Sequence, residues 1–239
     1  MHLSVFAERQ PGVALAAAAV LILNNLLGGA LFFVVYGFDL ELVRNPGALV
    51  DHGGASPDLL RFAALVDMLG YLALAPVVLY LHGRVGNALV TFCGLAAATI
   101  GAIGASLMAS AGPWLLEASA GAPEAQAAAR VAFGALENIV VVGLWGTLEL
   151  FLLAIWIAGA TWYVRTEDRA FAWIGAVAAL GALGYAARCG LTGQTPFALE
   201  TPLDFALLGT VGLFPLWRLW MAVRLWFGRR LPLFDERPV

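Results

Sequence analysis

The sequence contains no lysine, and all 13 of its basic residues are arginines. Without a side-chain amine, Schiff-base chemistry of the retinal kind is excluded. Charge of either sign is scarce: 12% of the residues are charged, against about 25% in an ordinary soluble domain. The net charge of −3 removes nucleic acid from the expected partners. Two cysteines, Cys93 and Cys189, fall near opposite ends of their apolar stretches, so they cannot form a disulfide scaffold. His2, His52 and His82 all lie in tails or loops, so no pair at one depth could hold a b-type haem. Cys-x-x-Cys, His-Glu-x-x-His and Walker patterns are absent, and neither a cofactor nor a metal is expected.

What the chain has instead is apolar residues, 62% of its 239 positions, gathered in long blocks. Such a chain has too little polar surface to coat a water-soluble globule. A bilayer core about 30 Å thick needs roughly 20 apolar residues in a helix. Six stretches qualify: 13–38, 59–81, 88–111, 139–163, 171–189 and 203–227. The expected fold is all-α: a polytopic membrane protein, one transmembrane domain over residues 1–239, with six helices in a bundle.

Arginine placement predicts the orientation. With a cytoplasmic N-terminus, the inner side carries Arg9, Arg84, Arg165, Arg169, Arg218, Arg224, Arg229, Arg230 and Arg237. The outer side carries Arg44, Arg61, Arg130 and Arg188. Both termini are therefore expected inside. The absence of lysine fits a high-GC genome, and a bacterial cytoplasmic membrane is the expected location. Tyr36 and Trp114 mark the outer boundary, and Tyr80, Trp162, Tyr163, Trp173 and Trp226 the inner one. The segment from Phe214 to Arg230 reads as a span end running into a basic interfacial tail. The first apolar block is too long for the h-region of a signal peptide.

The loops are small. The 39–58 loop is polar, the 190–202 loop is rich in breakers, and the 112–138 loop looks helical after Pro123, which extends the fourth span outward. None can house an independent catalytic domain.

Ionisable residues inside a span are costly and mark function or a buried pairing. Asn24 and Asn25 sit at the middle of span 1 and Glu149 near the middle of span 4. Asp67 lies about one turn outward of the middle of span 2, and Arg218 just inward of the middle of span 6. These two carboxylates, one guanidinium and two amides could form one interior cluster, and Tyr71 lies one turn after Asp67. At about 100° per residue, Asn138, Trp145, Glu149, Trp156 and Tyr163 make a single stripe down span 4. Pro76 removes a backbone donor from span 2 beside the cluster. A structural network, with Arg218 snorkelling or Asp67 paired to Arg61, is the competing reading. Glu137, Arg188 and Asp204 form a second, shallower group. Gly-x-x-Gly pairs at 101/104, 143/146, 181/184 and 209/212 suit close helix packing.

The apolar start of span 1, LVDMLGYLALAPVVLYL, AFAWIGAVAALGAL and the ending FPLWRLWMAVRLW together resemble a family of bacterial multi-span membrane proteins. That family is grouped only as a domain of unknown function. The resemblance implies an architecture and carries over no catalytic residues.

The expected function is binding or passing a small or lipophilic molecule at the mid-membrane cluster. Its candidate ligand-binding residues are Asn24, Asn25, Asp67, Tyr71, Asn138, Trp145, Glu149 and Arg218. The partners considered are the lipid bilayer, such a ligand, other membrane proteins and further copies of the chain. Two alternatives stand beside this: an accessory subunit of a larger membrane complex, and an intramembrane enzyme using Asp67 and Glu149 as acid and base.

Overall fold

The computed structural model describes residues 11–39, Leu42, 46–50, 56–166, 168–195 and 201–227. Among these, the regular structure is entirely helical, and the chain is an all-α membrane bundle. Helix α1 spans Pro11–Val35, α2 Pro57–Val85 and α3 Ala88–Ala118. Helix α4, Pro123–Glu137, runs without a break through a π-helical segment, Asn138–Glu149, into α5, Leu150–Val164. Helix α6 spans Arg169–Thr192, α7 Pro202–Val211 and α8 Leu213–Phe227.

The boundaries follow local chemistry. Ser56 caps α2, its hydroxyl accepting from the Leu59 amide, and Pro57 takes the first turn where no donor is needed. Gly86 ends that helix at φ 63°, and Asn87 at once caps α3 by accepting from Leu89 and Val90. At the α5–α6 corner, Asp168 accepts from the Phe171 amide at 3.0 Å and from Trp220 Nε1 at 3.0 Å. That one carboxylate caps α6 and ties it to α8. Thr201 and Asp204 form a capping box at the start of α7.

Five helical stretches are long and apolar enough to cross a membrane: Ala18–Val35, Pro57–Gly83, Ala88–Ala118, Pro123–Tyr163 and Arg169–Thr192. The fourth is far longer than a bilayer core requires, so its α4 end projects beyond the apolar layer, as its exposed Glu124 and Arg130 require. The stretch expected as a sixth span is divided into α7 and α8. Pro215 has no N–H for the carbonyl of Val211, and the regular pattern lapses at Gly212. Gly212 itself stays in the right-handed helical region.

Two apolar clusters fill the interior. One gathers Leu21, Leu74, Val77, Val78, Leu153, Trp156, Ile157 and Trp217. The other gathers Tyr36, Leu60, Met108, Leu116, Phe133 and Val140, roofed by Leu49 and Val50 beside the short 3-10 turn Pro46–Leu49. Between them, on α1, α2, α3 and the π segment, lies the level of residues 24–28, 67–71, 101–105 and 145–149. Large rings cross between helices onto glycine: Trp156 onto Gly94, Tyr71 onto Gly101 and Trp145 onto Gly104.

Several boundary aromatics expected from the sequence are exposed, among them Trp114, Trp162 and Trp173. Tyr36 is not: it is buried in the second cluster. The segment expected to run into a basic interfacial tail begins inside the bundle, where Trp217 and Arg218 are both buried. Residues 228–230 of that tail, and the side chains of Arg224 and Trp226, lie outside the described part. Cys93 and Cys189 are both buried and unpaired.

Candidate functional site

The level between the two apolar clusters is polar. Helix α1 contributes Asn24, α2 contributes Asp67 and Tyr71, the end of the π segment contributes Glu149, and α8 contributes Arg218. Asn24 lies within hydrogen-bonding reach of the Asp67 carboxyl, and Tyr71 within the same reach of Glu149. The Arg218 guanidinium acts on Glu149, Tyr71 and Asp67, and its Cζ stands 3.7 Å from the centroid of the Phe214 ring. Glu149 and Arg218 are almost wholly buried, at 4% and 7% exposure.

A cavity of about 70 Å³ opens within this group, lined by Leu21, Asn24, Asp67, Gly70, Tyr71, Leu74 and Arg218. One water needs roughly 10–15 Å³ on such a measure, so several waters fit and a lipid-sized molecule does not. Two acceptors beside or behind this space, Asn24 Oδ1 and Glu149 Oε2, are buried without a hydrogen-bond partner. Gly70 makes the close approach of α1 possible, because a side chain there would collide with Asn24.

Tyr71 is held from two sides. Its ring occupies the space over Gly101 and stacks on Trp145 with 6.3 Å between centroids and 29° between planes. Trp145 in turn donates from Nε1 to the carbonyl of Gly101 at 3.1 Å. Of the polar residues expected to cluster, Asn24, Asp67, Glu149 and Arg218 meet here, and Tyr71 joins them from one turn after Asp67. Trp145, expected as a ligand-binding residue, packs against the Tyr71 ring. The side chain of Asn25 lies outside the described part.

Asn138 does not join them. It is exposed, as is Tyr163 at the far end of the predicted stripe, while Trp145, Glu149 and Trp156 turn inward. The seven-residue interval between Asn138 and Trp145 returns to one face only in an α-helix. In the π segment each turn takes in an additional residue, so Asn138 rotates outward. Thr147 shows the wider turn directly, its hydroxyl donating at 2.7 Å to the carbonyl of Val142, five residues back.

The shallower group also divides. Arg188 Nε donates to Asp204 Oδ1 at 3.0 Å, joining α6 to α7, and Arg188 also contacts the Thr192 hydroxyl. Glu137 stands apart, 3% exposed, with Oε1 buried and unpartnered. Its burial was legible in its spacing, four residues after the buried Phe133 on α4. Asp67 does not pair with Arg61, which bonds Asp58 at 3.0 Å instead. The lining contributed by Gly70, Leu21 and Leu74 carried no signal beyond apolar composition. Among the described residues, no group of three or more metal-ligating side chains converges.

No protein-family model, curated protein or solved structure matches the chain. The family resemblance drawn from its apolar stretches therefore lends no residue to this site.

Proposed function

We propose that this protein binds or passes a small polar species at the mid-membrane cluster of Asn24, Asp67, Tyr71, Glu149 and Arg218. The observation that carries the reading is the polar cavity of about 70 Å³ between two apolar clusters. Buried charged groups in a membrane are expensive, and a purely structural network would close over its own polar atoms. Here a cavity remains beside the carboxyl of Asp67, and two acceptors are left without partners. Its size favours water-sized guests over the lipophilic ligand that the sequence alone also allowed.

On this reading α7 and α8 together make a sixth crossing. They carry 10 and 15 residues, and a helix rises about 1.5 Å per residue, so the pair is long enough. The arginine distribution, nine against four, supports two cytoplasmic termini. The end bearing the Pro46–Leu49 turn then faces outward. A bacterial cytoplasmic membrane is the proposed location.

The test is flux through the purified, full-length chain in liposomes, followed with an enclosed pH-sensitive dye under an imposed potential. Protein-dependent proton flux that falls in Asp67→Asn and Glu149→Gln supports the reading. If both variants retain the flux and the ion responses of the wild type, the cluster is structural and the reading fails.

A further inference from the structure

Within the proposed site, and resting on that reading, the arrangement of charges identifies the guest more narrowly. Two carboxyls, Asp67 and Glu149, share the field of one guanidinium, Arg218. Counted as ions, the three sum to one negative charge, which a low-dielectric interior tolerates poorly. Something carrying one positive charge completes the set.

The other groups facing the carboxyls do not supply it. Helix α1 presents Asn24, and α3 presents Gly101 and Gly104. Helix α6 brings Cys189 against Gly146, with Tyr185 one turn away, and neither acts on either carboxyl. A metal cation fits badly, because the Arg218 guanidinium lines the same small cavity. A proton needs no ligand shell and leaves the guanidinium in place.

The route to it is asymmetric. Asp67 lines the cavity directly, whereas Glu149 lies behind Tyr71, which lines the cavity and reaches Glu149 with its hydroxyl. We propose that the cavity holds water and that Tyr71 bridges this water to Glu149, so that the cluster binds one exchangeable proton shared between Glu149 and Asp67. In the step, a hydronium in the cavity gives its proton to the Tyr71 oxygen as the original Tyr71 O–H proton passes to the Glu149 carboxylate. The hydronium becomes water, Tyr71 stays neutral and Glu149 becomes the acid. The reverse step returns the proton, and the same water reaches Asp67 without an intermediary. The glycine seat at Gly101 and the stack on Trp145 hold the phenol where this transfer needs it.

The experiment is infrared spectroscopy of the full-length protein in lipid, reading the C=O stretch of protonated carboxyl and its shift on transfer to deuterated water. A Glu137→Gln background removes the buried carboxyl outside the cluster that has an oxygen without a partner. The expected result is a protonated-carboxyl band that exchanges in the parent and is lost when Asp67→Asn and Glu149→Gln are combined. In the Glu137→Gln parent, Tyr71→Phe leaves the band but slows exchange of its Glu149 part about tenfold or more. Asn24→Leu, which fills the cavity and removes its acceptor, slows exchange in the same way and serves if Tyr71→Phe does not fold.

Absence of any such band, or parental exchange in the Tyr71→Phe or Asn24→Leu variant, overturns the proposal. So does loss of the band on adding sodium at constant pH, which would assign the charge to a metal cation. Parental exchange in Tyr71→Phe with flux still lost in Glu149→Gln refutes the bridge alone. Unchanged flux in Asp67→Asn and Glu149→Gln refutes the site reading itself.

Discussion

The side chain of Asn24 occupies the space that a Cβ on Gly70 would take, so α1 and α2 meet at the cavity with an amide packed directly on backbone. The amide is thereby presented to Asp67, three residues before that glycine. Gly70→Ala should push Asn24 aside and separate the two helices. The expected loss is about 1–3 kcal/mol of stability, the usual cost of overpacking, measured by denaturation in mixed micelles. Wild-type stability in Gly70→Ala would mean that α1 is not seated as described.

The Arg188–Asp204 pair joins α6 to α7, and the same carboxylate completes the capping box with Thr201. Arg188→Met and Asp204→Asn should each lower the thermal midpoint. The double variant should lose less than the sum of the two, because each single change strands the partner's charge. Additive losses would show that the two side chains act independently.

Glu137 is a carboxyl in an apolar setting, with Oε1 lacking any partner. Glu137→Leu should stabilise the fold by about 1–3 kcal/mol, since it removes an unsatisfied polar group while keeping comparable bulk. The check is the same denaturation experiment. A destabilised Glu137→Leu would show that the carboxyl has a partner in the native membrane.

Trp145→Phe keeps a ring against Tyr71 but removes the donor to the Gly101 carbonyl. A loss of about 1 kcal/mol is expected, in line with hydrogen bonds between membrane helices. Under the Tyr71 bridge, proton exchange at Glu149 should persist in this variant, because the phenol hydroxyl is untouched. Loss of exchange there would make Trp145 part of the route.

The helical layout was legible wherever local chemistry punctuates it. Ser56-Pro57 and Gly86-Asn87 bracket α2, and Pro123 opens the long fourth helix. Four of the five clustered polar residues could be placed at one depth by measuring from span midpoints, because helical rise converts sequence position to depth. What spacing could not supply was the angle of residues before Glu149. The angle depends on the hydrogen-bond pattern, and Asn138 leaves the interior because that pattern is π rather than α. Pro215 was visible, but the interruption it causes at Gly212 was not anticipated. The seating of Tyr71 between Gly101 and Trp145 was equally beyond reach, since it depends on three helices meeting.

The most direct test of a wet, functional cluster is a high-resolution density map of the protein in native lipid, inspected beside Asn24 and Asp67. The account predicts ordered water-sized density in the cavity, within hydrogen-bonding distance of Asn24 Oδ1 and the Tyr71 hydroxyl. A collapsed, dry contact with Asn24 Oδ1 bonded to protein would contradict it and make the cluster a structural network.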